Sequence, residues 1–184
     1  HMAGTYARLT GKLGVCLATS GPGGLHLLNG LYDAKLDGQP VLAITGHTYH
    51  DLIGTHMQQD VDLDKVFMDV SVYNTRVMGP NHIENVANQA CRVALSRRGV
   101  AHINFPVDTQ EMEVKESKAS TRNRPHHTSD VQGTSAGLPS PDDVRAAAEV
   151  LNAGKKIAIM AGRGALGATA ELERVADVLG APRS

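Results

Sequence analysis

The chain has no tryptophan, two phenylalanines and four tyrosines among its 184 residues. A core built from it must therefore be aliphatic. Cysteine is nearly absent too: Cys16 and Cys91 are the two present, and they form no disulfide pattern. Each reads as a small buried apolar residue, Cys16 in a strand and Cys91 in a helix. Charge of one sign is lacking: the formal net charge is −1 at neutral pH, with no basic stretch. That argues against a nucleic-acid partner. No apolar run approaches the ~20 residues of a membrane-spanning helix, and no secretory leader pattern is seen. The cytoplasm is the expected compartment.

What is present is an alternation of apolar runs and helical patterns. Leu13–Leu17 is apolar, Ala18-Thr19-Ser20-Gly21-Pro22-Gly23-Gly24 follows, and Leu25-His26-Leu27-Leu28-Asn29-Gly30-Leu31 reads as a helix. A strand, a turn of small residues and a helix bring backbone close to something. Glycine permits positive φ and removes side-chain obstruction, Pro22 fixes one dihedral, and amides at a helix start can face a ligand. A tight βα connection packed only against its own protein needs the same residues, so both readings stand on the motif alone.

Further elements follow by periodicity. Met2–Thr10 reads as the end of a helix, Gly14–Ala18 as a strand and Gly23–Asp37 as a helix. Val41–Thr45 is a continuous apolar run, as in a parallel strand buried on both faces. His47–Val61 is polar and irregular, Asp64–Val70 a short helix, Tyr73–Val77 a short strand. Ile83–Ser96 is amphipathic, with Asn81 and Glu84 loosely fitting a capping box, and Val100–Phe105 is a strand ending at Pro106. Alternating strands and helices imply a parallel sheet with right-handed crossovers. Residues 113–140 are rich in Ser, Thr, Lys, Arg, His and Gly and read as a linker. Ser140 then caps a helix with Pro141, Asp142 and Asp143 in its first turn. Lys156–Ala161 reads as a strand, Gly162-Arg163-Gly164 as a turn and Thr169–Leu179 as a helix. Gly162, Gly164 and Gly167 make a G-x-G-x-x-G match, weak in isolation.

Acids and histidines add little chemistry by spacing. Asp33, Asp60 and Asp62 read as solvated or capping acids. His47, His50 and His56 lack the spacing of a metal helix and have no companion cysteine, so no metal ligand is assigned. His126-His127 lies in the linker. A lone His26 on an apolar helix start is more often a structural hydrogen-bonder than a functional group.

The order Tyr6-Ala7-Arg8-Leu9-Thr10-Gly11-Lys12, Ala18–Gly23, Asp33-Ala34 and Pro40–Gly46 resembles the pyrimidine-binding domain of thiamine-diphosphate-dependent enzymes, within the pyruvate oxidase and acetolactate synthase group. The resemblance is strong to about Pro106, weak in the linker and moderate after Pro141. His26 stands where acetolactate synthases usually carry Asn, which leans toward pyruvate oxidases. The implied fold is α/β: a parallel sheet flanked by helices over 1–112, lacking its N-terminal part, a linker over 113–140, and over 141–184 the truncated start of a Rossmann-like central domain.

The resemblance also implies a chemistry. Gly21, Pro22 and Gly23 would line the aminopyrimidine half of thiamine diphosphate, at a subunit interface of a homo-oligomer. His26 and Gln59 would lie on the substrate side as catalytic residues. Gln59 matches the glutamine of a Phe-Gln-Glu run that reads Gln58-Gln59-Asp60 here, which changes the shape of the substrate pocket. Gly162 and Gly164 would sit near FAD where the parent binds it. Mg2+ and the glutamate that activates the cofactor would belong to segments outside this chain, so the chain alone is expected to be catalytically silent. The substrate would be a 2-oxo acid such as pyruvate, decarboxylated or oxidised, with an acetolactate synthase-like carboligation as the alternative. A non-catalytic truncated assembly module is the rival reading, and a plain nucleotide-binding domain built on Gly162–Gly167 a third.

Overall fold

The computed structural model describes residues 1–115, 119–123 and 137–181. It divides into two units, His1–Ser135 and Ala136–Ser184. Most of the expected linker, with His126 and His127, lies outside the described residues.

In the first unit, α1 (Met2–Thr10) leads to β1 (Gly14–Ala18), α2 (Pro22–Leu36) and β2 (Val41–His47). Then come α3 (Leu63–Val66), β3 (Ser71–Arg76), α4 (Ile83–Arg97), β4 (Val100–Pro106) and α5 (Val107–Glu111). The four strands form one sheet in the order β1-β2-β4-β3, every neighbouring pair parallel. The chain steps from β1 to its neighbour β2, passes over one position to β3, and returns to insert β4. With right-handed crossovers, that reversal places α4 on the opposite face from α2.

Two cores follow from this alternation. Val41, Ala43 and Val100, on one face, pack with Ala7, Leu31, Ala34, Leu63, Phe67 and Val70. Leu42, Ala101 and Ile103, on the other, pack with Val86, Ala90 and Ala94 of α4. The stripe expected on Ile83–Ser96 is the face α4 buries. Burying Leu63 or Phe67 in full contributes about 1.5–3 kcal/mol each. An exposed pair such as Arg8–Asp37, 3.0 Å apart, contributes about 0–1 kcal/mol. The aliphatic core, not surface charge, holds the sheet.

Two local expectations are corrected. Asn81 and Glu84 form no capping box: a 3-10 turn over Pro80–His82 precedes α4, His82 takes the capping position without a side-chain bond, and Asn81 donates instead to the Lys115 carbonyl. Cys16 and Cys91 are free but half-buried rather than buried. Burial still pushes both thiols up, which makes them poor nucleophiles. β1 is an edge strand, and its Val15 and Leu17 remain 54% and 76% exposed.

In the second unit, α6 (Pro141–Ala153) begins in a complete capping box: Ser140 Oγ accepts from the Asp143 amide, and the Asp143 carboxylate accepts from the Ser140 amide. Thr169–Leu179 forms α7 as expected. The strand expected at Lys156–Ala161 is not formed; the segment is irregular and runs into a 3-10 turn over Arg163–Ala168. A strand exists only by pairing, and no partner strand is found among the described residues of this unit. The βα unit expected there is therefore not realised.

Candidate ligand-binding cleft

A cleft of about 680 Å³ opens at the carboxyl ends of β1, β2 and β4. Parallel α/β sheets place ligands there because the loops leaving the strands diverge at that end. Leu17, Ile44 and Phe105, from three adjacent strands, supply apolar wall. Ser20, Thr48, Gln58, Gln59 and Gln110 supply hydrogen-bonding groups. None of the sixteen lining residues is Asp, Glu, Lys or Arg.

The glycine turn shapes one edge of this cleft. Gly21 caps α2 with φ 61° and Pro22 takes the first helical turn. Gly24 lets α2 seat on α3, since a Cβ there would meet Leu63 Cδ1 at 2.6 Å. The connection from β2 to α3 crosses beside the turn. Gln59 is held at φ 63°, unusual for a residue with a side chain. Asp60 pins the same loop by accepting from the Gly54 and His56 amides. Ser20 Oγ donates to Gln59 Oε1 at 2.9 Å, across 39 residues of sequence.

Beneath the cleft lies a buried polar network. Asn74 donates to the Asp64 carbonyl, so its Oδ1 accepts from His102 Nδ1–H at 2.7 Å. His102 Nε2 then accepts from the Thr45 hydroxyl at 2.8 Å, and the ring stacks on Phe67 with centroids 4.0 Å apart. Burial lowers the His102 pKa to about 3, so the ring is neutral. Asp64 accepts from Asn104 and pairs with Arg76. His47, at the end of β2, accepts from the Thr48 amide through Nδ1. Burial, and then the Arg76 charge, lower its pKa. The His47 Nε2–H and Asn104 Oδ1 have no protein partner among the described residues.

The site residues expected from sequence divide three ways. Gln59 lines the cleft, and Gly21, Pro22 and Gly23 form the turn at its edge. His26 sits exposed on α2 and is not among the lining residues. Gly162 and Gly164 lie in the second unit in open space, with nothing within 4 Å of an added Cβ. Since no strand precedes them, the G-x-G-x-x-G match lacks the strand–turn–helix setting that gives it meaning. Asp62 caps α3, as a capping acid should. Of the three histidines, His47 is buried, His50 pairs with Asp108, and His56 is exposed.

Ser20, Phe105 and Gln110 were not singled out by sequence. Their signal is positional, since each follows or ends a strand at the loop-bearing end of the sheet. A larger hollow of about 930 Å³ lies between the β3–α4 connection and residues 111–115 and 119–123; it touches none of the expected site residues. Among the described residues, no helix is long and apolar enough to cross a membrane.

Comparison with known proteins bears on the family of the chain. Residues 1–66 match the family described as thiamine pyrophosphate enzyme, N-terminal TPP binding domain. The chain is 39% identical over 180 residues to the Bacillus subtilis protein YdaP, named as a thiamine pyrophosphate-containing protein. It is 34% identical over 185 residues to an acetolactate synthase of Mycobacterium leprae. It is also 34% identical over 184 residues to a pyruvate oxidase of Lactiplantibacillus plantarum. These alignments cover 98%, 99% and 98% of this chain but 30%, 29% and 29% of the relatives, so the chain spans about a third of their length. Residues 1–66 lie in the N-terminal cofactor-binding domain of the thiamine pyrophosphate enzymes, and the chain is similar to proteins of that group along nearly its whole length.

Proposed function

We propose that the cleft holds the neutral aminopyrimidine half of thiamine diphosphate, as part of an enzyme that decarboxylates or oxidises a 2-oxo acid such as pyruvate. The uncharged lining carries this reading. A heteroaromatic ring with a few hydrogen-bonding edges suits apolar walls and carboxamides, and the lining offers Leu17, Ile44 and Phe105 with Ser20, Gln59 and Gln110. A diphosphate and its Mg2+ would want cations and carboxylates, which the lining lacks, so that end of the cofactor is held away from this cleft. When bound, the cofactor supplies the electron sink for loss of carbon dioxide from a 2-oxo acid.

The chain's own residues then bind and orient. The Gly21-Pro22-Gly23 turn lets backbone approach the ring, Phe105 and Ile44 exclude water, and Gln59 offers its carboxamide. We assign no flavin contact to Gly162 and Gly164, because their segment lacks the strand that such a site requires. The two 34% relatives, an oxidase and a synthase, carry different reaction names at equal identity. His26 inclines the reading toward the oxidase. Exposed Leu17 at the cleft wall is the natural contact of a second copy, so a homo-oligomer is expected.

The reading is tested by adding thiamine, and separately inorganic pyrophosphate, to the isotope-labelled chain. Thiamine should shift the amides of Ser20, Gly46, Thr48 and Gln59, and pyrophosphate should leave them in place. Shifts there with pyrophosphate, or none with thiamine, overturn it.

A further inference from the structure

Three metal-ligating side chains meet where the connection after β2 passes the start of α5. His50, Asp51 and Asp108 each present one ligating atom, and these atoms all lie within 4.8 Å of one another. Among the described residues this is the one such group of three. His50 and Asp108 are 58 residues apart, so the spacing of His47, His50 and His56 could not disclose it.

The backbone sets the group up. The His50 amide donates to Asp108 Oδ1 at 3.0 Å, while His50 Nδ1 pairs with Oδ2. One carboxylate oxygen is thus anchored to the main chain, and the other is held beside the ring. His50 and Asp51 are exposed and Asp108 is half-buried, so an ion reaches the group from solvent. Among the described residues, no lysine or arginine is paired with Asp51 or Asp108, and His50 is the one base beside them.

We propose that His50, Asp51 and Asp108 bind a divalent transition-metal ion such as Zn2+ or Co2+. An imidazole nitrogen with two carboxylate oxygens is a mixed donor set that such ions accept, whereas Mg2+ favours oxygen alone. The ion replaces the proton between His50 Nδ1 and Asp108 Oδ2, and that proton leaves to solvent. Ligand bonds of about 2.0–2.2 Å place neighbouring donor atoms about 3–4 Å apart. Asp51, exposed in a turn, closes the remaining distance by rotating its side chain. Three protein ligands leave further positions to water. The ion staples the connection after β2 to the turn after β4. Tyr49 and Val107, the neighbours of His50 and Asp108 in the chain, line the cleft, so the staple sits at its rim.

The test titrates Co2+ into the isotope-labelled chain and into H50Q, D51N, D108N and H56Q. Paramagnetic broadening should begin at the amides of His50, Asp51 and Asp108. Each of H50Q, D51N and D108N should weaken binding by at least about ten-fold, the low end of what a lost supporting group costs a metal site. H56Q should leave the affinity unchanged, and an equal concentration of Mg2+ should not displace Co2+. D51N keeps the His50–Asp108 pair, so it probes the site without removing the contact between the two segments. Amide shifts of β2 and β4 in the metal-free variants verify that each has folded. Broadening that begins at His1, His26 or His56, or an affinity unmoved by D51N or H50Q in the folded variants, marks adventitious binding and overturns the proposal. Displacement by Mg2+ overturns it as well, since the imidazole would then take no part.

Discussion

A Cβ placed on Gly21 would lie 2.9 Å from the Cβ of Gln59 and 3.0 Å from its carbonyl oxygen. Both residues have a positive φ, Gly21 at 61° and Gln59 at 63°. The two turns are fitted to each other. The first can approach because it carries no side chain, and the second is kept in a costly conformation by that approach.

Gly21→Ala should therefore destabilise the first unit by about 1–3 kcal/mol, from positive φ together with the clash. The clash is with backbone and Cβ, which cannot swing away. Gly162→Ala is the control: its φ is −95° and its surroundings are open, so the change should stay within about 0.5 kcal/mol. Amide-exchange protection of β2 and β4 in the two variants checks this, and equal protection would refute it.

His102 should stay neutral across the physiological range. Its folded pKa is about 3, against 6.5 when exposed. As pH falls below 6.5 the unfolded chain takes up a proton that the folded chain refuses. The folded state thus loses about 1.4 kcal/mol per pH unit from this residue until the pH nears the folded pKa. His102→Gln should remove that slope while costing about 2–4 kcal/mol at neutral pH through lost stacking on Phe67 and unpaired Thr45 and Asn74. Ring resonances of His102 that titrate between pH 5 and 7 would be incompatible with this.

His50 moves the other way. The Asp108 carboxylate accepts from its ring and its backbone amide, and with Asp51 nearby it raises the His50 pKa. A raised folded pKa gives stability that is present below 6.5 and lost as pH rises through the folded value. The His50 titration midpoint, read by NMR, should lie above 6.5 and fall back toward it in Asp108→Asn. An unchanged midpoint in that variant would show that the pair does not hold in solution.

Ser140→Ala should remove half of the capping box on α6 and cost the helix about 1 kcal/mol. Ser140→Asp keeps an accepting oxygen at the cap and should recover most of it. Amide exchange of Val144 and its neighbours reports the fraying directly, and identical exchange in both variants would exclude a capping role.

Much of the fold was legible because it depends on local pattern. The continuous run Val41–Thr45 announced a strand buried on both faces, and β2 is one. The stripe on Ile83–Ser96 announced the buried face of α4. Ser140 and Asp143 announced a cap in their own four residues. Lys156–Ala161 misled because apolar composition gives strand propensity but not a strand, which requires a neighbour to pair with. The cleft was half legible. Gln59 and the glycine turn were found, whereas Ser20, Gln110 and Phe105 become site residues only when three strands are aligned in register.

By itself the sequence determined the alternation of strands and helices, the aliphatic core and the glycine turn before α2, since each rests on spacing within a few residues. Tertiary structure alone decided which face of the sheet α4 covers, because insertion of β4 between β2 and β3 is a choice of topology. It alone decided that His102 is a neutral buried strut while His26 stands exposed, because imidazole chemistry follows the partners that folding supplies. It alone brought Ser20 within 2.9 Å of Gln59, since a contact spanning 39 residues leaves no periodic trace in the chain.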